Sequence, residues 1–278
     1  MPNNTATYWS VDGESLHTFV RSIQSLGGIL KPPPVRGENV TIPYQRGRTW
    51  VPKIPDEQVL NLGMWLRGVS DTADAGTTGT TRQNFDENWK NIVRLLWRPG
   101  QQFELTKRFY DNGILRSATA LAEYAGGLAP EMIGKAAGRF VVDLRLADPF
   151  FYDDTVQTFN LVNGDQTINV RGNAPTTHII ATINGARNNT IVRVKSPGDD
   201  HQMEFHDNVS SGEVVTIDVK NYAATMDPAA GPNYDAEADV RHTGSPYWLI
   251  LQPGDNIVNL SSSSGIGAVS LQVRGAWV

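Results

Sequence analysis

The sequence predicts a mainly β protein in two parts: a first part of strands with one α-helix and an edge-like hairpin, then a β-sandwich. Three observations carry this. Apolar residues alternate with polar ones in many short runs, the period of a strand with one buried face. One segment, and only one, carries a well-formed helical stripe. The texture also changes after Asp153, from mixed elements to short strands separated by turn residues. A chain of 278 residues exceeds what one core usually organises. The expected domains are residues 1–154 and 155–278.

In the first part, Val40, Ile42 and Tyr44 alternate with Thr41 and Pro43. Arg46-Gly47-Arg48 turns the chain and Thr49-Trp50-Val51 returns it, so residues 40–51 read as a hairpin. Pro43 and Pro52 keep its ends at a sheet edge or outside the ladder. An exposed edge carrying Tyr44 and Trp50 invites pairing with another chain. Arg46 and Arg48 read equally as contacts or as a solvated tip. Tyr44, Arg46, Arg48 and Trp50 are therefore the candidate assembly contacts. Residues 58–69 form an apolar run of strand type whose length leaves a helix open. Residues 70–81 hold no large apolar side chain, cannot serve a core, and read as a loop available to a neighbour.

The helix is expected over residues 85–97. Phe85, Trp89, Ile92, Val93 and Leu96 form its apolar stripe. Asn84 and Glu87 fit an N-cap with its capping box, Arg94 and Arg98 suit the C-terminal dipole, and Pro99-Gly100 stops it. Strands follow. Phe103, Leu105 and Phe109 face one way, and Asn112-Gly113 is a hairpin turn. Phe140, Val142, Leu144 and Leu146 alternate with polar or smaller residues and run into the aromatic turn Asp148-Pro149-Phe150-Phe151-Tyr152.

The second part reads as short strands throughout. Ile168 and Val170 belong to one strand, and residues 178–183 and 190–194 form a hairpin about Asn184-Gly185. Val215, Ile217 and Val219 alternate. Residues 247–251 and 257–260 flank the turn Pro253-Gly254-Asp255-Asn256, and Val269, Leu271 and Val273 make a last strand that runs on to Trp277. This spacing indicates a β-sandwich.

Composition narrows the function. The chain has no cysteine, which removes disulfides, thiolate nucleophiles and cysteine zinc sites. A net charge of -5 without a Lys/Arg block argues against gripping DNA. No apolar run approaches the ~20 residues of a membrane span, and Met1 to Ser15 lacks a signal-peptide pattern, so folding in a cytoplasm is the simplest reading. His201 and His206 are close in sequence, yet an i to i+5 pair in a strand faces opposite ways, and they read as solvated strand-end polars. No nucleophile elbow, Walker loop, zinc-protease helix or dinucleotide fingerprint is present. Asp153-Asp154 and Glu237 with Asp239 read as exposed acidic loops. Trp248 and Trp277 could be sugar-stacking platforms, and the stronger reading puts both in the core. No catalytic residue, metal or cofactor is expected.

The order of these features resembles the distal tail protein of long-tailed phages. The residues that carry the resemblance are the hairpin at 40–51, the helix at 85–97, and the strand Phe140 to Ala147 with its aromatic turn. In the second part they are Tyr247-Trp248-Leu249-Ile250-Leu251-Gln252-Pro253-Gly254-Asp255-Asn256 and the strand into Trp277. The resemblance implies a belt domain, an N-terminal β-sandwich with one flanking α-helix and a projecting hairpin, followed by a C-terminal galectin-like β-sandwich. It implies a homohexameric ring between the tail tube and the tail-tip hub, with other baseplate or receptor-binding proteins as further partners. DNA would pass through its channel unbound. The protein would reside in the virion tail tip after assembly in the host cytoplasm, and no membrane is expected. The His-x-Asn-Pro-Arg and Trp-Gly-x-Glu residues of true galectins are absent; the nearest fragment is Gly172-Asn173-Ala174-Pro175. A carbohydrate-binding module with an anchoring domain is the alternative. A tail-tube subunit would not need the second sandwich.

Overall fold

The computed structural model describes residues 8–27, 32–36, 54–69, 81–195, 200–243, 248–265 and 267–278. The chain forms two compact units, Met1–Phe151 with Val278, and Tyr152–Trp277. The architecture is mainly β, with one α-helix among the described residues.

The first unit contains β1 (Tyr8–Val11), β2 (Glu14–Ser15), β3 (Arg21–Gly27), β4 (Val35–Arg36), β5 (Ile54–Pro55) and β6 (Gln58–Arg67). Helix α1 (Thr81–Leu96) follows, then β7 (Gln102–Asp111), β8 (Ile114–Gly127), β9 (Glu131–Gly134) and β10 (Ala137–Leu146). The sheet runs β2-β1-β7-β8-β10-β6-β3, with β9 beside β10. Alternation decides which face is buried. Leu60, Leu62, Met64 and Leu66 of β6 line up with Phe140, Val142 and Leu144 of β10 on the inner side. Residues 58–69, open between strand and helix in sequence, therefore resolve as a strand.

Helix α1 covers part of this inner face with Phe85, Ile92, Leu95 and Leu96. Trp89 is only half-buried and meets Phe140 edge-on, with ring centroids 5.2 Å apart. The helix starts a turn earlier than expected. Asn84 consequently lies inside it and is not the N-cap. Arg82 and Gln83 are good helix formers, and Arg82 pairs with Asp86 at 3.2 Å one turn on, so the helix extends back through them. Asn88 donates its side-chain amide to the carbonyls of Arg67 and Val69, at 2.8 and 2.9 Å, tying α1 to the end of β6. After the helix, Arg98 pairs with Asp12 in the turn of the β1–β2 hairpin. The same carboxylate accepts the Glu104 backbone N–H at 2.9 Å.

The second unit contains β11 (Phe151–Asp153), which begins at the junction, β12 (Gln157–Leu161), β13 (Gly164–Val170), β14 (Ile179–Asn184) and β15 (Arg187–Lys195). Next come β16 (His201–Val209), β17 (Val214–Asp218), β18 (Ala223–Asp227), β19 (Tyr234–Asp235) and β20 (Val240–Thr243). The last are β21 (Gly254–Ser261), β22 (Ser264–Gly265), β23 (Ala268–Val273) and β24 (Ala276–Trp277). Two antiparallel sheets, β12-β23-β14-β17-β18-β19 and β13-β21-β15-β16-β20, share one core that includes Ile183, Val194, Phe205, Ile217, Leu260 and Leu271.

Two expectations about turns in this unit need correction. The strands on either side of Asn184-Gly185 are not a hairpin. β14 pairs with β17 and β23, whereas β15 pairs with β16 and β21, so they lie in different sheets. Each strand buries alternate residues in the shared core, and Gly185, at φ 85°, lets the chain cross between layers. The segment Pro253 to Asn256 is not wholly a turn either, since β21 already begins at Gly254. Asn256 faces inward there. Its amide donates to the Gln252 and Gly254 carbonyls, and its oxygen accepts the Gln252 N–H at 2.9 Å.

Candidate functional site

Tyr44, Arg46, Arg48 and Trp50 lie outside the described residues, as do residues 70–80. The chain on either side of the predicted hairpin is described. β4 and β5 pair there, with Val35 opposite Pro55 and Arg36 opposite Ile54.

The groups that could have carried chemistry are dispersed. His201 is 3% exposed, so the solvated reading fails for it; the alternation of β16 turns its side chain into the sandwich. His206 is exposed and lies 3.4 Å from Glu204 on the outer side. No group of three metal-ligating side chains occurs among the described residues. Trp248 and Trp277 are both buried, and Trp248 packs edge-on against Tyr222 at 5.5 Å. Neither is a platform for stacking a sugar. The outer face of the β13-β21-β15 layer is a ladder of polar groups that satisfy one another. Lys195 donates to Asp165 at 2.7 Å, and Asn259 and Asn169 donate to Asp165 and Asp255. The hydrogen bond from Lys195, then that from Asn259, holds the Asp165 carboxyl below its ordinary range.

Sequence reasoning missed Lys107. It follows Phe103 and Leu105 on the inner face of β7 and is buried. Its ammonium lies 4.4 Å from the Phe151 ring centroid and 5.5 Å from that of Phe109. Burial pushes its pKa down to about 8. The signal was its odd-numbered place between Leu105 and Phe109.

The first unit also presents two exposed apolar features. One is the end of the β7–β8 hairpin. Asn112 and Gly113, at φ 49° and 80°, make the tight turn that the sequence predicted, with Asp111 opposite Ile114. Among the described residues, β10 pairs with β8 no nearer the tip than Glu123. Tyr110, Ile114 and Leu115 are each more than half exposed there.

The other feature is a groove of about 620 Å³ across β3, β6, β10 and the end of β8. Gly63 forms part of its lining, and a Cβ there would lie 2.2 Å from the Ser25 hydroxyl oxygen. Gly127 forms another part, and a Cβ there would lie 2.2 Å from the Val141 carbonyl oxygen. Half-buried Trp65 and exposed Val141 supply apolar walls, and Arg139 pairs with Glu131 at 2.7 Å on the rim. The surrounding backbone is irregular. Ladder registers shift at Ile23/Ser25, at Ala137/Gly138 and at Asp143/Leu144. Leu128 takes φ 65°, an angle unusual for a bulky residue. Its N–H bonds to the Val141 carbonyl at 2.9 Å, and the Tyr124 hydroxyl donates to the Gly127 carbonyl at 2.9 Å. Such strain persists where surrounding contacts over-determine it.

The described residues thus define a two-unit β scaffold with exposed apolar surface on its first unit, and no group of three metal-ligating side chains occurs among them. No protein-family model matches the chain, and no curated protein does. Solved structures do. The crystal structure of phage SPP1 Dit (gp 19.1), described as a paradigm of the hub adsorption apparatus in phages infecting Gram-positive bacteria, aligns with a TM-score of 0.63. It covers 98% of this chain and 99% of that chain at 11% identity. The phage P2 baseplate in its activated conformation with Ca aligns over 97% of this chain and 98% of that one, at 8% identity and a TM-score of 0.44. Its Sr form aligns at the same score. The chain has the fold of the Dit protein, so the resemblance seen in the order of its motifs holds at the level of the fold.

Proposed function

We propose that the chain is a structural virion protein of a phage tail tip, without enzymatic activity. In this reading it forms a hexameric ring that joins the tail tube to the tip hub and leaves a channel for DNA. The first unit, residues 1–154 in the sequence reading, is the belt that closes the ring. The second, residues 155–278, is a galectin-like sandwich that docks other proteins. Its partners are other copies of itself, the tail tube protein, the hub protein and further baseplate or receptor-binding proteins. Its location is the virion tail tip, after assembly in the host cytoplasm. Tyr44, Arg46, Arg48 and Trp50 remain proposed assembly contacts of the belt.

The observation that carries the reading is the alignment with a phage hub protein over nearly the whole of both chains. The burial of Trp248 and Trp277 takes support from the carbohydrate-binding alternative. Native mass spectrometry and negative-stain microscopy of the full chain test the proposal. Closed rings of one stoichiometry are expected. A chain that stays monomeric at high concentration overturns the ring.

A further inference from the structure

We propose that Arg187, Asn163 and Ser262 form an anion site in the second unit, where the chain leads into β13, β15 and β23, and that its ligand is a carboxylate. An arginine is seldom fully buried without an opposite charge beside it. Arg187 is 4% exposed. Among the described residues no carboxylate pairs with it, and burial is what lowers its pKa. Neutral groups hold the guanidinium instead. Its Nε donates to the Gly267 carbonyl, and its Nη1 donates to the Asn163 Oδ1 at 3.1 Å and the Ser262 Oγ at 3.2 Å. These bonds fix the group and leave its charge uncompensated, which is costly in a buried setting. Clamping loops together takes hydrogen bonds alone; a full positive charge gains its use when an anion arrives.

The hydrogen-bonding capacity left over is all of one kind. Nε and Nη1 are committed, so Nη2 keeps its N–H donors. Asn163 accepts through Oδ1, which leaves its amide nitrogen as a donor on an exposed residue. Ser262 accepts from Nη1 and keeps its own hydroxyl hydrogen. Three donor groups thus surround one positive charge. A monoanion balances that charge, so a carboxylate fits better than a phosphate group, which carries about -1.5 to -2 at neutral pH. The site is also built in advance of any ligand. Arg187 pairs with Gly265 across β15 and β22, and Asn163 bridges to Leu260. A Cβ at Gly265 would lie 2.1 Å from the Ala186 carbonyl oxygen, and one at Gly267 2.5 Å from that of Asn184, so glycine lets this loop close on the start of β15. The carboxylate belongs to a small free acid or to an acidic side chain of a docked protein. All three site residues lie in the second unit, and the inference stands apart from the ring reading.

Titration calorimetry of the full chain with sodium acetate, in chloride buffer of matched ionic strength, tests the site. Saturable binding at one site per chain is expected. A blocked tetraglutamate peptide is the second probe. Binding at least tenfold tighter than that of acetate assigns the site to an acidic segment of a protein, and equal binding assigns it to a small free acid. The decisive variant is Asn163→Asp, which places a carboxylate on the guanidinium from within the chain. It weakens acetate binding at least tenfold and raises the thermal melt in chloride. Arg187 and its loop contacts stay in place in this variant, so the loss of binding does not come from misfolding. Absence of saturable binding by both probes, or acetate binding unchanged in Asn163→Asp, overturns the site and leaves Arg187 a clamp between loops.

Discussion

The two units bury their cores with the same alternation of residues and differ in what they leave outside. The second unit closes on itself. Its two sheets share one core, and charged groups on an outer face pair with one another, as Lys195, Asp165 and Asn259 do. The first unit has one principal sheet and a helix, and its outer side keeps Val59, Leu115, Leu121 and Val141 exposed. Among the described residues, most of the exposed large apolar side chains belong to the first unit. Single exposed apolar residues are ordinary; several on one sheet face are apolar surface that the core of this unit does not bury. This contrast supports the proposed reading, in which the first unit self-associates and the second docks other proteins.

The largest effect that could break the comparison is a cavity in the second core. Phe205 is 1% exposed, and Phe205→Ala should cost about 3–5 kcal/mol of that unit's stability. Denaturant titration should then show the second unit melting first while the first holds. Assembly at low temperature should be unchanged. Loss of rings from this variant would mean that the second unit also forms the ring contact.

Next in size is the buried amine of the first unit. Lys107 titrates near 8 when folded, against an ordinary value of 10.5. The unfolded state therefore binds more protons between those values, and stability rises with pH across that window. The gain is on the order of 3 kcal/mol at most, reduced by the attraction of the ammonium to the Phe151 ring, which favours the charged form. Lys107→Met should stabilise the first unit at pH 7 and flatten its pH dependence from 8 to 10.5. Melting curves that are flat over this window for the unmodified chain would show that the amine reaches water.

Smaller again is Trp89→Ala. A fully buried tryptophan would cost about 3–5 kcal/mol. This ring is half-buried and makes one edge-on contact with Phe140, so about 2 kcal/mol is expected from chemical denaturation. A cost near zero would place the ring's main contact in another copy.

Much of this was legible in the residues. The alternation Phe140 to Leu146 gave β10 and its buried face, Asn112-Gly113 gave a true hairpin, and the stripe from Phe85 to Leu96 gave α1. Asp12-Gly13 was an equally good turn signal for the β1–β2 hairpin. Other features were illegible for physical reasons. Asn184-Gly185 serves a hairpin or a crossing between sheets equally well, and only pairing partners distinguish them. Lys107 shares the inward parity of Leu105 and Phe109, and its charge, which ordinarily keeps a lysine in water, masked that signal. The groove lies where Gly63 and Gly127 let Ser25 and the Val141 carbonyl approach closely, beside ladder shifts between β3 and β6 and between β8 and β10. No local pattern encodes that convergence.

The smallest effect on stability gives the sharpest comparison. Leu115 in the first unit and Ile257 in the second are both apolar, both on strands and both about half exposed. Substitution at such surface positions changes stability by about 0.5 kcal/mol or less. Leu115→Ser and Ile257→Ser should therefore melt like the unmodified chain. Their environments differ. Ile257 lies in β21, whose neighbours Asp255 and Asn259 are taken up by Asn169 and Asp165, so it is an isolated apolar side chain on a polar face. Leu115 lies with Tyr110 and Ile114 at the end of the β7–β8 hairpin, where all three are exposed. If exposed apolar surface on the first unit serves assembly, Leu115→Ser raises the concentration needed for rings several-fold and Ile257→Ser does not. Sedimentation velocity across a concentration series measures this directly. Equal shifts from the two variants would mean that association follows exposed apolar area in general, and the division of labour between the units would fall.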